Sequence, residues 1–273
     1  MVPLFALINP LSHVNPLGVL AVVASLIAFV VFYRRLRGRP EKVRILWLAV
    51  LVPLSLPAIS FAVYYSHKLP EWEWFYALRS YPGTEFLAVF LGGAAGVVAT
   101  LVGPFLRVVL LPLLIVVTAV PYIKPLIGPI PEDMFQDRQW KGAALQSTPS
   151  TCGPTSVVNL LNRLDVAASE REIARAAFSY QGGTEAWYLA RYVRQRGLNP
   201  RFVFEKTFTS ETGLPAMVGV RFPGGAGHFI AVIELKDNQV IYVDPLNGET
   251  TCSLAEFLAR YDFTGFHMVV RRG

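Results

Sequence analysis

Four apolar stretches crowd the first part of this 273-residue chain, at roughly 17–33, 45–65, 86–101 and 105–122. A helix needs about 20 apolar residues to cross a bilayer core, because lipid offers no partner to an unsatisfied backbone N–H or C=O. No other feature constrains the fold as strongly. It predicts an α-helical membrane bundle of about four spans over residues 1–125. Gly92-Gly93-Ala-Ala-Gly96 supplies a small-residue face for close helix packing. No Asp, Glu or His lies inside the four stretches, so the bundle reads as an anchor and not as a proton relay.

Charge orients the bundle. Six basic residues fall between Arg34 and Arg44, directly after the first stretch. A cleaved signal peptide has its basic residues before the apolar run, so this reads as a retained anchor with residues 34–44 in the cytoplasm, facing anionic headgroups. The next loop, 66–85, holds Lys68 and Arg79 against Glu71, Glu73 and Glu85, with Trp72, Trp74, Phe75 and Tyr76 suited to a membrane interface. It is expected outside. A turn at Gly103-Pro104 beside Arg107 then returns the chain, placing the C-terminal domain on the external side.

The net charge of +6 does not argue for nucleic acid, since it is concentrated in that one loop. From Lys141 onward there are 14 Lys and Arg against 12 Asp and Glu, a difference of only +2. Two cysteines, Cys152 and Cys252, exclude a disulfide framework and a multi-cysteine metal site. No GxxxxGK[ST] phosphate loop occurs.

The proline-punctuated stretch from Pro121 to Pro131 is expected to end the last span and lead into a linker, 126–140. Residues 141–273 read as a separate domain. Val157, Val158, Leu160, Leu161 and Leu164 recur at helical spacing after Cys152, with Pro154 suited to a first turn. Ser169-Glu-Arg-Glu172 is a capping box opening a second helix. Thr184 is expected to cap a third, ending at Gly197. Strands follow at 201–205, 216–222, 228–235 and 240–243, then a helix capped at Ser253 and a last strand near 266–270. Helices first and an antiparallel sheet after is an α+β arrangement.

Chemistry concentrates at four positions. Cys152 opens a helix in Thr-Cys152-Gly-Pro, where backbone amides and the helix dipole favour a thiolate, and Gly153 is expected to let a substrate backbone approach. Of four histidines, His228 and His267 belong to the soluble half. His228 follows Gly224-Gly225-Ala-Gly227 and heads a strand, whereas His267 has only Asp262 near it in sequence. The strand from His228 turns at Lys236-Asp237-Asn238 and returns, bringing Asp244 within a residue or two of His228. Gln146, six residues before Cys152, is placed to hold an oxyanion with the Cys152 amide. The bland alternatives are a core histidine, a turn aspartate before Pro245 and a surface glutamine.

Gln-x5-Cys-Gly-Pro, the Gly-His-Phe strand and the Val-Asp-Pro strand, in that order, resemble the C39 peptidases, papain-like domains that process bacteriocin and other double-glycine leader peptides. The resemblance covers roughly 144–270. It implies a papain-like cysteine peptidase fold, with Cys152 as nucleophile, His228 as base, Asp244 as its partner and Gln146 as oxyanion donor. It implies no metal or organic cofactor. Thr151 stands where family members often carry an acidic residue. The expected protein is an integral protein of a bacterial cell membrane, whose partners are a peptide or protein substrate, membrane lipids and a separate export system, and not nucleic acid. Two rivals use the same features: a thiol amidase or acyl transferase, and a catalytically inactive peptide-binding receptor.

Overall fold

The structure, a computed structural model, describes residues 14–64, 72–205, 213–222 and 225–273. The chain divides into two compact units, one built from Val14–Glu71 and Pro82–Ile127, the other from Trp72–Tyr81 and Gly128–Gly273. The N-terminal part yields five helices: α1 (Pro16–Leu36), α2 (Glu41–Tyr64), the short α3 (Glu73–Arg79), α4 (Ala88–Leu101) and α5 (Pro104–Ile127). All but α3 belong to the first unit.

Four segments of the first unit are long and apolar enough to cross a membrane: Pro16–Leu36, Glu41–Ser60, Thr84–Leu101 and Pro104–Ile127. The small-residue face on α4 works as expected. A Cβ on Gly92 would overlap the Ser25 carbonyl of α1, and one on Gly96 would overlap that of Phe29. The basic residues gather at one end, where Arg44 Nη1 donates to Thr100 O (2.8 Å) and Arg107 Nη1 to Tyr33 Oη (3.3 Å). Two expectations need correction. The third segment begins at Thr84 and therefore includes Glu85, buried and accepting from Asn15 Nδ2 at 2.7 Å. The fifth helix also runs through Pro121 and Pro125 to Ile127 and does not stop at them. Proline removes one donor and bends a helix, which an apolar helix among neighbours tolerates.

The second unit contains a hairpin, β1 (Gln139–Trp140) and β2 (Ala143–Ala144), then α6 (Cys152–Arg163), α7 (Glu170–Ala176) and α8 (Ala186–Gln195). Strands β3 (Leu198–Phe204), β4 (Ala216–Arg221), β5 (Gly227–Lys236), β6 (Gln239–Asp244) and β7 (Gly248–Ser253) follow, then α9 (Leu254–Arg260) and β8 (Asp262–Arg272). The sheet is antiparallel throughout, in the order β3-β8-β4-β5-β6-β7. Its core includes Val218, Val220, Ile230, Val232, Tyr242 and Phe257. Burying each such side chain fully stabilises the fold by roughly 1.5–3 kcal/mol.

Local chemistry explains the element ends. Ser253 and Glu256 form a complete capping box on α9. At α7 only half of the expected box forms: Ser169 Oγ accepts from Glu172 N, while the Glu172 carboxylate receives Tyr192 Oη at 2.8 Å. Thr184 does not cap α8; its hydroxyl pairs with Ser179 at 2.7 Å, and Glu185 is the N-cap residue. The segment read as a linker is docked. Ile130 and Phe135 bury with Ala174, Gln181 N donates to Gly128 O (2.7 Å), and Arg175 pairs with Glu132. Residues 72–81, read as part of the membrane region, pack with the second unit.

Candidate active site

Cys152 is the first residue of α6, a free and half-buried thiol, and no side chain caps that helix. A tight turn delivers it: Thr148 N donates to Thr151 Oγ1 (3.1 Å) and Thr151 N to Thr148 O (3.2 Å). Thr151 is fully buried in this turn, so its hydroxyl does structural work at the position flanking the thiol. Gly153 has a different reason from the expected one. A Cβ there would lie 2.9 Å from Leu189 Cδ1 and 3.5 Å from the Phe229 ring, so it faces the interior of the domain. One turn on, Ser156 Oγ donates to Phe229 O at 3.0 Å, clamping the cysteine helix to the strand that bears His228.

His228 is 5% exposed and Asp244 2%. The imidazole Nε2–H donates to Asp244 Oδ1 at 2.9 Å, and the Cys152 thiol lies near enough to act on the ring electrostatically. With Nε2 taken by the carboxylate, the thiol side falls to Nδ1. Phe222 covers the ring at 4.8 Å between centroids. Burial pushes the imidazole pKa down, but the hydrogen bonds and charges of Asp244 and Cys152 prevail and raise it to about 9. Burial likewise opposes the Asp244 carboxylate, yet donation from His228 and from the Leu246 amide holds it below the usual carboxylate range. Both directions describe one imidazolium–carboxylate pair.

The hairpin that brings these residues together contains an irregularity. From the turn, whose Asp237 and Asn238 take positive φ (49° and 61°), Lys236 pairs with Gln239, Leu235 with Val240 and Glu234 with Ile241. Then Val232 pairs with Tyr242 and Ala231 with Val243, so Ile233 is an extra residue. Continuing this register sets Asp244 opposite Ile230, on the same face as His228. Without the bulge it would face Ala231, on the other side of the sheet.

Four donors hold Asp244: His228 Nε2, Leu246 N (2.9 Å), Asn247 Nδ2 (3.1 Å) and Tyr261 Oη (2.9 Å). Burial, the Asp244 charge and this hydrogen bond all push the Tyr261 phenol up, keeping it a donor. Sequence reasoning missed Tyr261 and Asn247. Asn247 carries a detectable signal, since a short polar side chain three residues after an aspartate suits a turn, whereas Tyr261 arrives from beyond another helix.

Gln146 is buried, and its backbone N–H donates to Pro245 O at 2.8 Å, beside Asp244. Its side-chain Nε2 donates to Thr148 O at 2.8 Å, and Oε1 has no hydrogen-bond partner among the described residues. No hydrogen bond among the described residues joins it to Cys152. Its loop is pinned at both ends. Asn159 of α6 exchanges bonds with Ala144 N (2.8 Å) and O (3.0 Å), and buried Glu170 accepts from Ser147 N at 2.7 Å.

His267 stands apart. It is 1% exposed on β8, separated from β5 by β4, and burial lowers its pKa. Asp262 pairs with Arg221 at 4.0 Å instead. Cys252 lies on β7, opposite Val240. Of the glycine run before His228, Gly224 lies outside the described residues, as do His13, His67 and Lys68. Among the described residues no cluster of three His, Cys, Asp or Glu side chains is placed to hold a metal.

A half-buried thiol at a helix start, an imidazole and a carboxylate on one α+β domain are the kinds of group that thiol chemistry uses. Residues 141–273 match the profile of the Peptidase C39 family. An uncharacterized protein of Methanothermobacter thermautotrophicus is 29% identical over 128 residues, 47% of this chain and 87% of that protein. One from Methanothermobacter marburgensis is 28% identical over 127 residues, 46% of this chain and 86% of its own length. Among solved structures, the double glycine motif protease of an AMS/PCAT transporter in complex with the leader peptide is 18% identical, with a TM-score of 0.41, covering 48% of this chain and 91% of that one. The peptidase domain of Streptococcus ComA, a bifunctional ABC transporter involved in quorum sensing, is 19% identical, with a TM-score of 0.42, covering 47% and 96%.

Proposed function

We propose that this chain is a membrane-anchored cysteine peptidase. One observation carries the reading: within a stretch matching the Peptidase C39 family, His228 donates to Asp244 through Nε2 and has the Cys152 thiol near enough to raise its pKa. Cys152 as thiolate attacks the scissile carbonyl carbon, and the carbonyl electron pair moves onto oxygen. The Cys152 amide and the second N–H of Gln146 Nε2 hold that oxyanion. The intermediate collapses as the C–N bond breaks, and His228 gives its proton to the departing amine. Water, deprotonated by His228, then hydrolyses the thioester and restores the thiolate. Asp244 fixes the ring orientation and stabilises the imidazolium throughout.

The helical unit serves as the anchor, with its basic end at the cytoplasmic face and the peptidase domain outside. The gathering of Arg44 and Arg107 with the 34–44 loop at one end supports that polarity. The test is direct. In the full chain, Cys152→Ala should lower peptide hydrolysis by at least about a thousandfold and remove labelling by a thiol probe, as expected for loss of a nucleophile. Cys252→Ala should leave both near wild type. The reverse pattern would refute the assignment.

A further inference from the structure

Residues 72–81 lie in the chain between α2 and α4, yet they fold into the C-terminal unit. The Tyr76 ring, 2% exposed, sits 5.7 Å from Trp187 of α8, 5.2 Å from Phe202 and Phe204 of β3 and 5.6 Å from Phe266 of β8, between centroids. Arg79 is equally buried, its guanidinium 3.4 Å over Phe75 and 4.5 Å over Trp187. Arg191 Nη2 donates to the carbonyls of Arg79 (3.1 Å) and Tyr81 (3.0 Å), satisfying the C-terminal end of α3. Arg194 Nε adds a bond to Ser80 Oγ at 3.2 Å. An isolated helix of seven residues has no stability of its own in water, so this packing is what forms it.

The cluster reaches the site. Phe266 packs on Phe229 at 5.5 Å between centroids, and Phe229 is the neighbour of His228 and lines the space beside Gly153. We propose that residues 72–81 are a built-in strap of the catalytic domain. The strap keeps the domain on the same side of the membrane as the loop between the second and third spans. Tyr76 acts within it as a positioning residue for the Cys152–His228 pair. The chain between 82 and 127 must then cross an even number of times, as α4 and α5 together do. The seating rests on the helices crossing a membrane and the positioning role on the peptidase reading, so the two are tested apart.

For seating, single cysteines replace Gly38, Tyr81 or Leu258 in the full chain carrying Cys152→Ser and Cys252→Ser, and sealed vesicles are treated with an impermeant maleimide. Tyr81→Cys and Leu258→Cys should label from one side and Gly38→Cys from the other. Opposite accessibility of the first two overturns the strap, and uniform labelling of all three overturns the membrane seating itself. For positioning, iodoacetamide alkylation of Cys152 is timed in the Cys252→Ser background. Tyr76→Ser should slow it about fivefold or more, on the order expected when a reacting group is displaced, and Tyr76→Phe should restore it. Trp74→Ser, at an exposed ring of the same segment, should leave it unchanged. Should Tyr76→Ser not accumulate, Tyr76→Leu fills the space without the ring and carries the same expectation. Wild-type alkylation in the serine or leucine variant overturns the positioning role, while loss of peptide hydrolysis from every variant and wild type alike would overturn only the peptidase reading.

Discussion

Each unit of this molecule buries a carboxylate, and the two are used differently. Glu85 in the helical unit accepts from Asn15 Nδ2 (2.7 Å) and Gly83 N (2.9 Å). Asn15 in turn caps α1 through Leu17 and Gly18 amides. An asparagine amide and a backbone amide do not titrate, and these Glu85 bonds hold helix ends together. Asp244 also collects backbone and side-chain donors, but one is an imidazole that a nearby thiol acts on as well. Burial of an acid therefore says little about function by itself; the chemistry of its partner decides.

Substitutions can break or sharpen that contrast. The largest effect is expected from Asp244→Asn, which keeps the shape and removes the charge. Turnover should fall by roughly a hundred- to ten-thousandfold, as for loss of a triad carboxylate. The pH dependence should move as well. His228 with its pKa raised to about 9 keeps its proton through neutrality, so activity should decline as pH rises through that value. In Asp244→Asn the decline should shift toward the ordinary imidazole value of 6.5. The same pair supports the fold: the His228 contribution is complete below 6.5 and lost as pH rises through about 9. The Asp244 contribution is present above 3.8 and lost as pH falls through its lowered value. An unchanged pH–rate profile in the asparagine variant would contradict the pairing.

Gln146→Ala should cost about a hundredfold in kcat with little change in KM, as for loss of one oxyanion donor. A rise in KM alone would instead make it a binding residue. Tyr261→Phe removes one of four donors to Asp244 and should destabilise the domain by roughly 1.5–3 kcal/mol, the range for a bond to a charged group, read from denaturant midpoints. Smallest of all, Glu85→Gln should leave hydrolysis within about twofold of wild type while lowering thermal stability of the helical unit, since an amide can replace one acceptor but not both. Strong inactivation by Glu85→Gln would erase the distinction between the two carboxylates.

Long-period patterns were the most legible part of the sequence. Four apolar runs, the amphipathic face after Cys152 and the alternation from His228 needed only composition and period. The residues proposed to act were found by their local settings: a cysteine at a helix start, a histidine heading a strand, an aspartate one hairpin on. What escaped were contacts of long sequence separation. Tyr261 meets Asp244 only after β7 and α9 are in place, and Asn159 holds Ala144 across the turn before the helix. The grouping of residues 72–81 with the C-terminal unit was also hidden, because Trp72, Trp74 and Tyr76 suit a lipid interface as well as an aromatic core. Sequence composition cannot choose between two apolar surroundings.

The extra residue at Ile233 shows what the hairpin does with a surplus. Pairing keeps step from the turn to Glu234 and Ile241 and resumes at Val232 and Tyr242 as though Ile233 were absent. A relative without that residue would pair the two strands unbroken and still set the acid opposite Ile230, so the bulge absorbs a change of length. The intolerant change is the other one: the same residues paired in plain succession from the turn would carry the acid through to the opposite side of the sheet. Such a hairpin would keep every letter of the site and lose its geometry.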